Sequence, residues 1–274
     1  MFAKLLKYEW KASSKLLLLL SGCALGIGCV AAVILRLLTT YWDRIMLRDE
    51  LVLILIPAIL FLFFAYFALL LYATSSQYIL LYRFYKSRFT DEGYLMFTLP
   101  VKTSHIFLSN AVHMLIWAVI TLVVMLLSIG IAVVLGPVWD DTVLREMRMA
   151  FSDMDWFFSE LTTPWYPVTI ILSGIILSVY GIVAPMTAVV LGSAVAKKHK
   201  ILAIIGIMIG ISTVVGTANG IISAIMQFIL IGADSHLPLV TTLTPLASSI
   251  FPLILTIAGY FISVHLMKHR LNRP

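Results

Sequence analysis

The residues able to do chemistry within the apolar stretches of this chain are few: His113, Asn110, Gln227, Asn219 and hydroxyl side chains. A histidine near the inner end of a membrane span could relay protons or hold a hydrogen bond that fixes a helix. His113 favours the second use, because no acid stands near it to complete a relay. No Asp or Glu falls in any apolar stretch, whereas carriers that couple to ions place ionisable groups at mid-membrane. Enzyme signatures are missing too: there is no Gly-x-Ser-x-Gly elbow, no His-Glu-x-x-His helix and no intramembrane aspartate pair. No glycine-rich run ends in Gly-Lys-Ser/Thr, so the chain has no P-loop for a nucleotide. Asp153-Met154-Asp155 lacks the glycine and closing glutamate of an EF-hand calcium loop and reads as solvated acids. Cys23 and Cys29 lie six apart in one apolar stretch and read as packing residues, neither a disulfide nor a metal pair. The expectation is a chain that is no enzyme, with no metal or cofactor of its own.

The polar segment with most to say is Tyr82-Arg83-Phe84-Tyr85-Lys86-Ser87-Arg88-Phe89-Thr90-Asp91-Glu92-Gly93-Tyr94-Leu95-Met96-Phe97-Thr98-Leu99-Pro100-Val101. Basic and aromatic residues interleave up to Phe89. Thr90 could cap a short helix with Asp91 and Glu92 in its first turn, and Pro100 closes the segment. Such a run is too apolar for a plain linker and needs a surface to cover, either the membrane face or a partner protein. Ahead of the first apolar stretch, Lys4, Lys7, Lys11 and Lys15 are spaced by 3, 4 and 4 and so share one helical face, with Phe2, Leu5 and Leu6 largely opposite. This predicts an amphipathic helix over 1–15, carrying Glu9 as its acid, that lies along the inner membrane surface.

The elements that must position these residues are membrane helices. Hydrophobic residues make up 61% of the 274 and charged ones 12%, against about 45–50% and about 25% in soluble domains. The mean hydropathy is +1.05. Six stretches reach the ~20 apolar residues that a span requires: 16–38, 51–80, 106–136, 166–195, 201–231 and 245–267. They are continuously apolar without period-2 alternation, which favours helices over a barrel. Prolines 57, 185 and 252 predict kinks within spans. Leu20-Ser21-Gly22-Cys23 matches a bacterial lipoprotein cleavage box, but the apolar run before it is short and the chain stays apolar to Leu35, so an uncleaved first span is expected.

Charge sets the orientation. With the N-terminus inside, 14 of the 19 Lys and Arg fall in inner segments and ten of the 13 acids in outer ones, leaving the inner side at +11 and the outer at −5. The positive-inside rule therefore puts both termini in the cytoplasm, and the basic balance needs no nucleic-acid partner to explain it. Residues 82–105 become a cytoplasmic loop and 137–165 an extracellular one, the latter expected to hold a short helix on the outer leaflet. Ala184, Ala188, Gly192 and Ala196 repeat every four residues in the fourth span, as do Gly206/Gly210 and Gly216/Gly220 in the fifth. Such stripes let helix backbones approach closely in lipid, within one bundle or between copies.

The opening Lys4-Leu5-Leu6-Lys7-Tyr8-Glu9-Trp10-Lys11, the segment Asp91-Glu92-Gly93-Tyr94-Leu95-Met96-Phe97-Thr98-Leu99-Pro100-Val101 and Ser104 just beyond it resemble the permease subunits of type-2 ABC exporters. The likeness is to the small six-span permeases of Gram-positive bacteria. Asn110 stands where such sequences often carry Lys. The resemblance implies an all-α integral membrane protein with six transmembrane helices, an N-terminal interfacial helix and a coupling helix in the first cytoplasmic loop, placed in the bacterial plasma membrane. It implies a second permease copy or sister permease as partner, and cytosolic ABC ATPase subunits that hold ATP and magnesium. Lys86, Arg88, Phe89, Asp91, Glu92 and Tyr94 would then be the ATPase-coupling contacts, with Glu92 paired to Lys7 or Lys11. The cargo would be a peptide, drug, lipid or polysaccharide. Two other readings share the topology: a membrane scaffold or sensor that docks a soluble partner, and an ion-coupled carrier or channel.

Overall fold

In the computed structural model, residues 2–42, 49–90, 102–139, 141–152, 165–196, 198–232 and 238–269 are described, and among them every regular element is helical. The helices are α1 (Phe2–Thr40), α2 (Asp49–Phe89), α3 (Thr103–Leu135), α4 (Asp141–Ser152), α5 (Tyr166–Val195), α6 (Lys200–Gly232) and α7 (Pro238–His269). Six of these, all but α4, are long and apolar enough to cross a membrane, as the run lengths predict.

Their ends differ from the expected ones, and the cause is local. The N-terminal segment is not a separate helix turned across the first span: α1 runs unbroken for 39 residues. At 1.5 Å per residue it is about 58 Å long, nearly twice the ~30 Å of hydrocarbon. Nothing before Gly22 is a Gly or Pro, so nothing in the sequence breaks or kinks the helix there. Likewise α2 continues for 41 residues through Phe89, so residues 82–89, expected as loop, are its last two turns. Leaving lipid and leaving the helix are different events. Arg83, Lys86 and Arg88 signal the first, but Arg and Lys are good helix formers, and Lys86 and Arg88 suit the negative end of the helix dipole. The predicted helix in the outer segment is present as α4, with Asp141 in its first turn. Pro57, Pro185, Pro245 and Pro252 all lie inside continuous helices.

The chain divides into two units: Leu6–Tyr82 with Ile116–Ser152, and Met1–Leu5 with Arg83–Leu115 and Asp153–Pro274. In the first, α1 packs through Ser13, Leu17, Ser21, Ala24, Gly28, Ala31 and Ala32, all buried and spaced mostly by three or four. Apolar packing alone is a weak adhesive in lipid, so hydroxyl bonds and close backbones hold this face. Ser21 Oγ and Tyr72 Oη share a hydrogen bond of 2.8 Å, Ser128 Oγ donates to Ala24 O at 2.8 Å, and Ser76 and Thr121 share one of 3.2 Å. Gly28 sits against Ser128, where a Cβ would strike both hydroxyl and backbone. Among the described residues no glycine has a positive φ; here glycine serves nearness.

In the second unit α5, α6 and α7 pack on one another. Gly192 lies so close to α6 that a Cβ would stand 2.7 Å from the Ile204 backbone nitrogen. Gly259 of α7 similarly faces Thr187 of α5, and buried Ser263 donates to Thr187 Oγ1 at 3.2 Å.

Candidate functional site

The site built from the sequence is the end of α2 together with the polar segment beyond it. Within the second unit, Phe84 (1% exposed) is the hub of an aromatic cluster. It meets Phe89 edge-on at 5.6 Å and Phe107 of α3 at 6.3 Å, and Phe107 in turn meets Tyr260 of α7 at 5.8 Å. Tyr85 stacks on Phe89, with ring centroids 6.4 Å apart. Edge-to-face pairs are worth about 0.5–1.5 kcal/mol beyond the area they bury.

The last carbonyls of a helix have no partner within it. Here Thr90 Oγ1 donates to Lys86 O at 2.6 Å, and Lys200, the first residue of α6, donates its Nζ to Phe89 O at 3.2 Å. The end of α2 is thus tied to a residue 111 positions later in the chain. Thr90, read as the cap of a further helix, gives its hydroxyl proton to the end of α2; the helix it would cap lies outside the described residues.

Of the six residues read as coupling contacts, Lys86 is exposed, while Arg88 (2% exposed) and Phe89 (5%) are buried. Asp91, Glu92 and Tyr94, with the rest of 91–101, lie outside the described residues. Phe84 and Arg88 share a face four residues apart and Lys86 points to the other side. Buried Arg88 has interaction partners, as a desolvated guanidinium must.

On α1, Lys4, Lys7, Lys11 and Lys15 are exposed and Glu9 is buried on the opposite face beside Ser13, whose Oγ donates to Glu9 O at 3.1 Å. Trp10 stacks on buried Trp117 of α3, with centroids 5.0 Å apart. The small-residue stripes separate sharply. Ala188 is buried, Ala184 half-buried and Gly192 in close contact, but Gly206, Gly210, Gly216 and Gly220 all face open space.

The intramembrane polar residues resolve individually. His113 is buried, near enough to Arg83 to feel its charge. Asn110 is buried and spends its amide on Ile106 O at 2.9 Å. Gln227 is exposed, and Asn219 is half-buried with its Oδ1 lacking a hydrogen-bond partner among the described residues. Cys23 and Cys29 are free and exposed, not the packing residues expected. The same kind of inventory overlooks Gln77 in the second span. Both its amide atoms are buried with no hydrogen-bond partner among the described residues.

No group of three His, Cys, Asp or Glu that could hold a metal occurs among the described residues. In the first unit a groove of about 960 Å³ opens between α1 and α2, walled by Leu16, Leu20, Ile27 and Leu71, with Tyr72, Ser75 and Tyr82 among the residues of its α2 side. It has the size and lining of an apolar ligand cleft. Comparison with protein-family models, with curated proteins and with solved structures returns no match for this chain.

Proposed function

We propose that this multi-pass membrane protein is the transmembrane permease subunit of an ATP-driven ABC exporter, working with a separate cytosolic ATPase and a second permease. The observation that supports the reading best is the end of α2. The helix runs on past the apolar stretch as a stiff basic-aromatic rod, pinned by Lys200 and by the Phe84–Phe107–Tyr260 chain, with Lys86 facing outward. A lever needs that combination: an outer handle, and an inner end packed into helices that would have to move. In this reading Lys86 is a docking contact, and Arg88 and Phe89 pass the force inward. The largely apolar groove suits a peptide, drug or lipid better than an ion.

The test is purification from native membrane in mild detergent, with mass spectrometry of whatever accompanies the chain. A near-stoichiometric soluble P-loop protein is expected with the wild type. Lys86→Glu should lower its recovery at least about tenfold, as reversing a docking charge does, without altering membrane insertion. A folded preparation of this chain alone, with no ATPase at any nucleotide condition, would sink the proposal and leave the scaffold and carrier readings.

A further inference from the structure

The last two turns of α7 carry His265 and His269, four residues apart and therefore on one helical face. Both are exposed, and their rings stack with centroids 4.3 Å apart and planes inclined by 26°. His269 Nδ1 lies 3.1 Å from the backbone oxygen of His265. A carbonyl oxygen can only accept, so in the neutral ring this bond puts the proton on Nδ1 and makes Nε2 of His269 the lone-pair nitrogen. Metal-binding histidines are held in that manner, one ring nitrogen donating to a carbonyl while the other ligates.

The opposite face of the helix end is anchored, while the two exposed rings are free to turn about their side-chain bonds toward a shared ion. Behind them, Ser263 and Met267 are fully buried, and Ser263 is bonded to Thr187 of α5. In front, the surface around His265, Lys268 and His269 is formed by α7 residues alone and is open, which leaves room for an ion with its water. The negative end of the helix dipole favours a cation there. Among the described residues no carboxylate lines this surface, and the Lys268 ammonium flanks it. Hard ions such as magnesium or calcium, which need oxygen ligands, are thereby disfavoured. Borderline ions that bond to imidazole nitrogen are not.

We infer that His265 and His269 form a two-imidazole chelate for a divalent transition ion such as Zn²⁺, Ni²⁺ or Cu²⁺, with water completing its coordination. This site is independent of the permease reading and stands or falls without it.

The experiment is titration of the full chain, purified in detergent on a tag free of histidine, with Zn²⁺ and with Cu²⁺ by calorimetry and equilibrium dialysis. His265→Ala, His269→Ala and the double variant are compared. The expected result is one ion per chain above the double variant's background. Copper should bind more tightly than zinc, and magnesium or calcium in excess should not displace either. Each single variant should lose at least the ~10–100-fold that deleting even an outer-shell partner costs. The double variant should fall little further, because a chelate needs both rings. X-ray absorption of the zinc complex should show imidazole ligands that vanish in the double variant. Both histidines are exposed, so the variants should keep the wild-type helicity and elution volume. Equal metal uptake by wild type and double variant, or none by either, overturns the inference.

Discussion

Replacing Gly192 by alanine separates two uses of small residues that look alike in the sequence. A Cβ at 192 would stand 2.6 Å from Ile204 Cγ1, 2.7 Å from its backbone nitrogen and 2.8 Å from its Cα. Carbon contacts are comfortable near ~3.5–4.0 Å, and two of the three atoms are backbone that no rotamer change can move. The α5 and α6 axes must therefore part by roughly 1 Å. Overpacking of this kind costs about 1–3 kcal/mol. At about 2–4 °C per kcal/mol for a chain of about this length, the midpoint for heat-induced loss of the monodisperse elution peak should fall by about 2–12 °C. Alanine at Gly206, Gly210, Gly216 or Gly220 meets no atom within 4 Å. Each of those should be neutral or stabilising, by up to about 0.5–1 kcal/mol, since alanine is the better helix former. Should any of the four lower the oligomeric size on elution at an unchanged midpoint, the stripe belongs to a contact between copies. A Gly192→Ala protein as stable as wild type would refute the close-approach argument.

Two further substitutions probe the polar groups in the spans. Ser21→Ala and Tyr72→Phe each remove one side of the buried 2.8 Å hydroxyl bond between α1 and α2. A double-mutant cycle on thermal stability should give a coupling of about 0.6 kcal/mol, with about 1.7 as the upper end for such bonds in lipid; zero coupling would mean the hydroxyls do not meet. Gln77→Leu removes an amide whose two polar atoms are buried and lack partners among the described residues. It should raise stability by about 1–3 kcal/mol, the cost of leaving such a group unsatisfied. A loss of stability would show that Gln77 has a partner in the folded chain, whereas higher stability with lost activity would mark it as a ligand contact.

The spans were legible because ~20 uninterrupted apolar residues admit few structures, and in lipid the helix satisfies its own backbone. The ends were harder to read. A charge such as Arg83 or Lys86 says where the chain meets water but not where its backbone hydrogen bonds stop, so α2 outran the expected boundary. The lysines at 4, 7, 11 and 15 were easy to find because charge stands out in this sequence. The opposite face of the same helix, Ser13, Leu17, Ser21, Ala24 and Gly28, has the same spacing but reads as ordinary apolar sequence. Its meaning lies in Tyr72 and Ser128, which are remote along the chain. The bond from Lys200 to the end of α2 spans 111 residues, and no local pattern marks it.

The basic residues around the end of α2 also show why a charge count overstates a docking surface. Arg83, Lys86, Arg88 and Lys200 all interact within the chain already. Lys200 completes the last carbonyl, Arg88 is inside with partners of its own, and Arg83 acts on the buried His113. A helix that ends in unpaired carbonyls draws positive charge to itself, so some of the cationic excess in this segment is the fold's own requirement. Arg88 is buried with an interaction of its own, so replacing it changes the packing of the helix end as well as its charge. Loss of function in an Arg88 variant would therefore not by itself test the proposed coupling role. Lys86 also interacts within the chain but is exposed on the far side of the same helix, so charge reversal there, with the fold shown intact, tests the proposed docking.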